Sequence, residues 1–329
     1  MSIVDLAVQN LASPMVLFFA LGVAAALLRS DLSVPEAAAK FLALYLMLAI
    51  GFKGGVEVSK SGLDPAMGLT IGAGILLSFT IPLAGYFFIR LSTRLGAIDA
   101  AAVAAHYGSI SIVTFVAATE IVRGLGLAYE GYLIAVAAVM ETPAIVAALL
   151  LARRAAPAER QDGQREGMGA LLREVATNGS IVVLVGAFFI GWITGERGMS
   201  MISPFIVDPF RGILCLFLLD MGLVAGRGLR QGARELSPSL VAFGIYFPLV
   251  SAAFATAFAA VLGLSPGGAA LFITLAASAS YIAVPAAMRL ALPEANPAIY
   301  LTLSLGVTFP FNLSLGIPLY AAIAQRIAG

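Results

Sequence analysis

Residues 106–118 read H-Y-G-S-I-S-I-V-T-F-V-A-A. The run is small and hydroxyl-bearing, and it interrupts a stretch that is otherwise apolar from 99 to 123. A second interruption, A-A-S-A-S-Y-I-A-V-P, occupies residues 276–285, and Ser109 and Ser111 match Ser278 and Ser280 at a constant offset of 169. Small residues let the backbone leave helical geometry, which frees amide groups that lipid cannot satisfy. Both stretches therefore read as the midpoints of broken membrane helices, with the rest of the chain as scaffold around them.

Composition sets the same frame. The chain is 60% hydrophobic and 11% charged, with a mean hydropathy of +0.99. Soluble domains carry about 25% charged residues, so this chain has too little polar surface for a globule in water. The apolar runs are too long and too unalternating for barrel strands, which leaves an all-α polytopic membrane protein. Net charge is +1 with no basic stripe, which argues against a nucleic-acid partner. Cys215 is the one cysteine, so no intrachain disulfide forms; its apolar surroundings read it as a small buried hydrophobe. The first fourteen residues lack a basic leader, so no cleavable signal peptide is expected.

A hydrocarbon core of roughly 30 Å takes about 20 apolar residues per helix. Ten spans emerge, near 14–28, 36–54, 66–90, 99–123, 130–152, 177–195, 207–228, 237–262, 267–290 and 297–325. The long polar segment 153–173 lies at the midpoint and divides the chain into a five-span repeat (1–152), a cytoplasmic linker (153–176) and a second five-span repeat (177–329). The halves correspond at several points. Lys60 and its neighbours match Arg230 and its neighbours, I-P-L at 81–83 matches F-P-L at 247–249, and E-T-P at 141–143 matches T-F-P at 308–310. An odd number of spans inserts the second copy upside down, which predicts inverted repeats whose fourth and ninth spans cross. With the N-terminus outside, 13 of the 19 Lys and Arg fall in inner loops, so both termini are expected outside.

The crossing carries the chemistry. Two half-helices starting there from opposite sides would aim positive dipole ends at one midplane spot, a cradle for a small anion. A site of about 100 µM corresponds to about 5.5 kcal/mol. Two helix ends and a few charge-assisted hydrogen bonds of ~1.5–3 kcal/mol each supply that without a buried arginine. Glu141, set before Thr142 and Pro143, is an ionisable group inside a span, and such groups are functional candidates. Together with Thr114, Thr308 and Asn312, and with carbonyls freed by Pro143 and Pro310, Glu141 and Thr142 suit a hard cation such as Na+. Asp220 also lies within a span, whereas Lys53, Glu57 and Glu120 read as interfacial. His106 is the single histidine. With no H-E-x-x-H and no G-x-S-x-G it reads as a packing or capping residue, and neither an enzyme nor a transition-metal centre is expected.

Over nearly its full length the chain resembles the sodium-dependent bicarbonate transporter family (SbtA-type). The resemblance rests on V-P-E-A at 34–37, G-x-x-G-G at 51–55, the 108–114 signature and the P-x-x-R-G-like stretch at 208–212. It continues in A-S-x-S at 277–280, P-x-x-x-R at 285–289 and P-x-A-N-P-x-x-Y at 293–300. The sequence departs from the cyanobacterial pattern in having Tyr281 where an Asp is usual, and Ile112-Val113 in place of a Gly-Ser pair. The resemblance implies a core domain (spans 3–5 and 8–10) moving against a gate domain (spans 1, 2, 6 and 7), a homotrimer, and Na+-coupled bicarbonate uptake. It places anion contacts on Gly108, Ser109, Ile110, Ser111, Ser278, Ala279 and Ser280. It meets the family's carboxylate before proline with Glu141, and Tyr281 joins the cation set by position. It also implies that a PII-like regulatory protein can dock on the cytoplasmic face.

The expected function is secondary transport of a small inorganic anion, foremost bicarbonate, coupled to Na+ and needing no further cofactor, in a bacterial inner membrane. Two alternatives stay open on the sequence: a Na+- or H+-coupled organic-anion transporter of bile-acid-symporter-like fold, and a non-transporting membrane sensor.

Overall fold

The computed structural model describes residues 8–62, 65–155, 179–281, 284, 285, 288, 292 and 294–328. The linker expected at 153–176 and the half-helix expected beyond Tyr281 lie largely outside them. The described chain is helical throughout, without strands among those residues. The helices are α1 (Pro14–Leu27), α2 (Glu36–Ser61), α3 (Pro65–Ser92), α4 (Ala97–Gly108), α5 (Ile112–Gly124), α6 (Leu133–Ala155), α7 (Gly179–Ile206), α8 (Phe210–Gly232), α9 (Pro238–Leu262), α10 (Pro266–Ala277) and α11 (Pro297–Ile327).

Seven stretches among the described residues are long and apolar enough to cross a bilayer, with α4 and α5 counted as one. Helices α1 and α10, of 14 and 12 residues, are shorter; α1 is only about 21 Å long. Buried fractions separate centre from rim. The stretch Ala97–Gly124 is 94% buried, against 28% for Val182–Ile206, so the interrupted span is central and α7 is peripheral. Leu69, Phe87, Ile193, Phe254 and Val261 stand exposed on α3, α7 and α9, as lipid-facing side chains do.

Four helices begin the same way. Ser13, Ser237, Ser265 and Asn296 each accept a first-turn amide on the side chain, and a proline follows each of them. The side chain satisfies one orphan donor and the proline removes another. Two helix pairs approach closely enough to require glycine. A methyl at Gly22 would collide with the Leu219 carbonyl, and one at Gly222 with the Phe19 carbonyl, which locks α1 to α8. Gly51, Gly55 and Gly191 do the same between α2 and α7.

Two boundaries differ from the sequence reading. Helix α2 runs to Ser61 rather than 54, because its polar end is held by Lys60, which pairs with Glu57 (3.0 Å) and with Glu196 of α7. Helix α7 runs to Ile206 rather than 195. Gly195, at φ 54° and ψ −145°, kinks it there, and the chain resumes helical geometry.

Candidate functional site

Both expected breaks are present, and they touch. Helix α4 stops at Gly108 because the chain turns extended through Ser109 (φ −86°, ψ 143°) and Ser111 (φ −101°, ψ 105°). Helix α10 stops at Ala277, with Ser278 at φ −86° and ψ 163°. The Ser280 amide donates to the His106 carbonyl (2.7 Å), and the Ser111 amide donates to the Ser278 hydroxyl oxygen (2.8 Å). That hydroxyl in turn donates to the Leu275 carbonyl (2.8 Å). The two segments thus pair in opposite chain sense. Ser111 also caps α5, accepting from the Thr114 amide (3.2 Å) and the Thr114 hydroxyl (2.9 Å). Gly108 seats on the ring of Pro82 in α3, where a methyl would collide.

The structure brings Gly108, Ser109, Ile110, Ser111, Ser278, Ala279 and Ser280 together, and all seven are buried. The amides of Ser111 and Ser280 are engaged across the crossing, so they are not the open donors. What remains is more telling. The Ser109 hydroxyl, the Tyr281 hydroxyl and His106 Nε2 are buried without a hydrogen-bond partner among the described residues. The Tyr281 hydroxyl faces Ser111 but does not meet hydrogen-bond geometry. Each buried, unsatisfied polar group costs about 1–3 kcal/mol. Two such hydroxyls at one crossing, beside first-turn amides of Ile112 and Val113 that helix geometry leaves without intrahelical partners, form a donor set for a small anion.

The cation candidates divide. Thr114 and Tyr281 sit at the crossing. Thr308 donates to the Gly244 carbonyl (2.8 Å) and shares a hydrogen bond with Tyr107 (2.6 Å). Asn312 donates to the Ala277 carbonyl (2.9 Å) and accepts from Tyr320 (2.9 Å), so it ties the cut end of α10 to α11. Thr308 closes one short π-helical turn, Ser304–Thr308, and Asn312 opens another, Asn312–Gly316. Glu141 is half-buried on α6, which packs on α3 and α4, and its carboxylate has no ion pair or hydrogen bond among the described residues. One residue earlier, the Met140 carbonyl accepts from Ser78. The Thr142 side chain lies outside what the structure describes.

His106 is fully buried. Its Nδ1 lies 2.6 Å from the Ala102 carbonyl, and its ring stacks on Tyr300 with centroids 4.5 Å apart. Its backbone carbonyl, not its ring, serves the crossing.

Of the three charged residues read as interfacial, Glu57 is exposed and pairs with Lys60, whereas Glu120 and Lys53 are buried. The Glu120 side chain is 4% exposed and is held by Arg211 of α8 (2.8 Å) and by Arg123 (3.3 Å). Lys53 is buried with its ammonium over the Phe210 ring, 4.1 Å from the centroid. Burial in a seam demands partners, and Arg211 supplies one from 91 residues away, which local sequence does not reveal. Asp220 is also buried.

No curated protein matches the chain. A family comparison matches residues 14–325 to the Na+-dependent bicarbonate transporter superfamily. The match spans both breaks, the helices that cradle them and the start of α8. The chain is therefore a membrane transporter protein that belongs to the Na+-dependent bicarbonate transporter superfamily.

Proposed function

We propose that this chain is a secondary active transporter that couples inward Na+ movement to uptake of a small inorganic anion, bicarbonate being the substrate. The observation that carries the reading is the sealed crossing. Two interrupted helices are hydrogen-bonded to each other, with the unpaired hydroxyls of Ser109 and Tyr281 buried beside the first turn of α5. A guest reaches so enclosed a spot only when packed elements move, which is the requirement of alternating access.

The ten-span reading takes the seven long stretches and adds α1, α6 and α10 with its continuation. Helices α1 with α8, and α2 with α7, form close-packed pairs and supply the gate; α3–α6 and α9–α11 supply the core that slides against it. Na+ binds near Glu141 and the hydroxyls of Thr114 and Tyr281, and offsets the anion's charge. We place both termini outside in a bacterial inner membrane. A homotrimer and a PII-like regulator follow from the family resemblance.

The test is uptake of labelled bicarbonate into proteoliposomes with and without an imposed Na+ gradient. The reading predicts accumulation only with the gradient. Equal uptake in both arms sinks the coupling, and no uptake of bicarbonate by folded protein sinks the substrate.

A further inference from the structure

A cavity of about 320 Å³ lies apart from the crossing, where the N-terminal segment, α5, α8 and the Pro318 turn of α11 meet. Asn10, Glu120, Leu125, Arg211 and Cys215 line it. We propose that this cavity is a capture site for an oxyanion that carries one acidic hydrogen, the chemical class of bicarbonate, held by Arg211 and read by Asn10. The assignment of substrate rests on the proposed function; the site itself rests on the groups below.

Arg211 is built for the purpose. Its Nε donates to Glu120 Oε2 (2.8 Å), and Glu120 is 4% exposed whereas Arg211 is 72% exposed. A buried carboxylate therefore fixes one edge of an open guanidinium. Among the described residues its terminal nitrogens have no partner, and a planar fork of that kind accepts two oxygens of an oxyanion side by side. The surrounding charge favours an anion. Arg123 and Arg211 both pair with Glu120, and Lys53 lies within electrostatic reach of all three, while Glu57 and Glu196 pair with Lys60.

Asn10 supplies the complementary half. Its Nδ2 donates to the carbonyls of Leu313 (2.6 Å) and Ser314 (3.0 Å), which fixes the carboxamide and leaves Oδ1 as its acceptor. That oxygen is buried with no partner among the described residues. A donor fork and an unsatisfied acceptor on two residues that line one cavity match bicarbonate, which has oxygens to accept and one hydroxyl to donate. Nitrate and chloride offer no hydrogen to that acceptor, so it stays unsatisfied when they bind.

Cys215 is the one cysteine of the chain, lies one helical turn from Arg211 and lines the same cavity, so it reports the site without engineering. The experiment compares its reaction, in the purified full chain, with methanethiosulfonates bearing a sulfonate or a trimethylammonium group. The sulfonate reagent is expected to react faster, and bicarbonate is expected to slow that reaction more than nitrate does. Arg211→Gln should slow the sulfonate reagent about threefold and speed the cationic one. Because that change leaves Glu120 with Arg123 alone, the double change Glu120→Gln with Arg211→Gln and the charge-preserving Arg211→Lys are run beside it. The double change should lose both charge preference and protection, and Arg211→Lys should keep the preference and lose the protection. Asn10→Ala should keep the charge preference but abolish the difference between bicarbonate and nitrate. Equal rates for the two reagents in the parent chain, or protection that survives the double change, overturn the proposal. Labelling needs neither Na+ nor turnover. A chain that labels as expected yet takes up no bicarbonate therefore refutes the transport reading alone, and one that transports but labels indifferently refutes this inference alone.

Discussion

Ser109 and Ser278 occupy equivalent positions in the two breaks, yet the structure gives their hydroxyls opposite circumstances. Ser278 Oγ accepts the Ser111 amide and donates to Leu275, both at 2.8 Å. Ser278→Ala strands the buried Ser111 amide, which costs about 1–3 kcal/mol of stability. Ser109 Oγ has no partner among the described residues, so Ser109→Ala removes a buried orphan and leaves the ligand-free protein as stable as the parent or more so. If that hydroxyl serves the anion, its loss removes one charge-assisted hydrogen bond of about 1.5–3 kcal/mol, a roughly 10- to 100-fold weaker site. Thermal unfolding of purified protein, followed by circular dichroism and titrated with bicarbonate, reads both quantities at once. The expected pattern is a lowered midpoint for Ser278→Ala. For Ser109→Ala it is an unchanged or raised midpoint with a bicarbonate response displaced to higher concentration. A Ser109→Ala protein that unfolds as early as Ser278→Ala, with its bicarbonate response intact, refutes the division of labour and returns Ser109 to packing.

Three further outcomes follow from the same structure. Glu141→Gln should raise the Na+ concentration for half-maximal uptake by at least about tenfold, the scale of one lost charged ligand; an unmoved Na+ curve removes Glu141 from the cation site. Asn312→Ala strands the Ala277 carbonyl and the Tyr320 hydroxyl, so stability should fall by about 1–3 kcal/mol. A fall in Na+ affinity without loss of stability would instead make Asn312 a ligand. Gly222→Val drives a side chain into the Phe19 carbonyl at the α1–α8 seam, so folded protein recovered from membranes should drop sharply, whereas Gly68→Val, where open space surrounds the Cβ position, should not. Equal recovery of the two variants contradicts the close seam.

The interruption at residues 106–118 was legible because serine and glycine inside an apolar run are a local anomaly, and the repeat offset pointed to its partner. Helix starts were legible for the same reason, since a capping side chain followed by proline is written in two adjacent letters. Glu120 was not. Position near a helix end reads as solvated, and only the folded chain shows Arg211 meeting it in a buried seam. The sequence reads Asn312 as an oxygen donor to a cation and gives no sign that its carboxamide also braces the cut end of α10. The partner there is a backbone carbonyl, which no side-chain pattern announces. Likewise Gly195 and its polar neighbours resemble a helix end in the sequence, but a kink absorbs them and α7 continues.

The recurrent proline beside a capping residue also determines where negative charge is unwelcome. At the mouth of α10, Pro266 has no N–H, Gly267 donates to Ala128, and Gly268 and Ala269 donate to Ser265. Every donor that might greet an anion there is already spoken for. Helix α5 carries Ile112 in the corresponding place, so its opening turn keeps amides to offer. Proline at the mouth of α10 and isoleucine at that of α5 thus set apart two otherwise similar positive poles, one closed and one with amides to spare, a difference written by the imino acid.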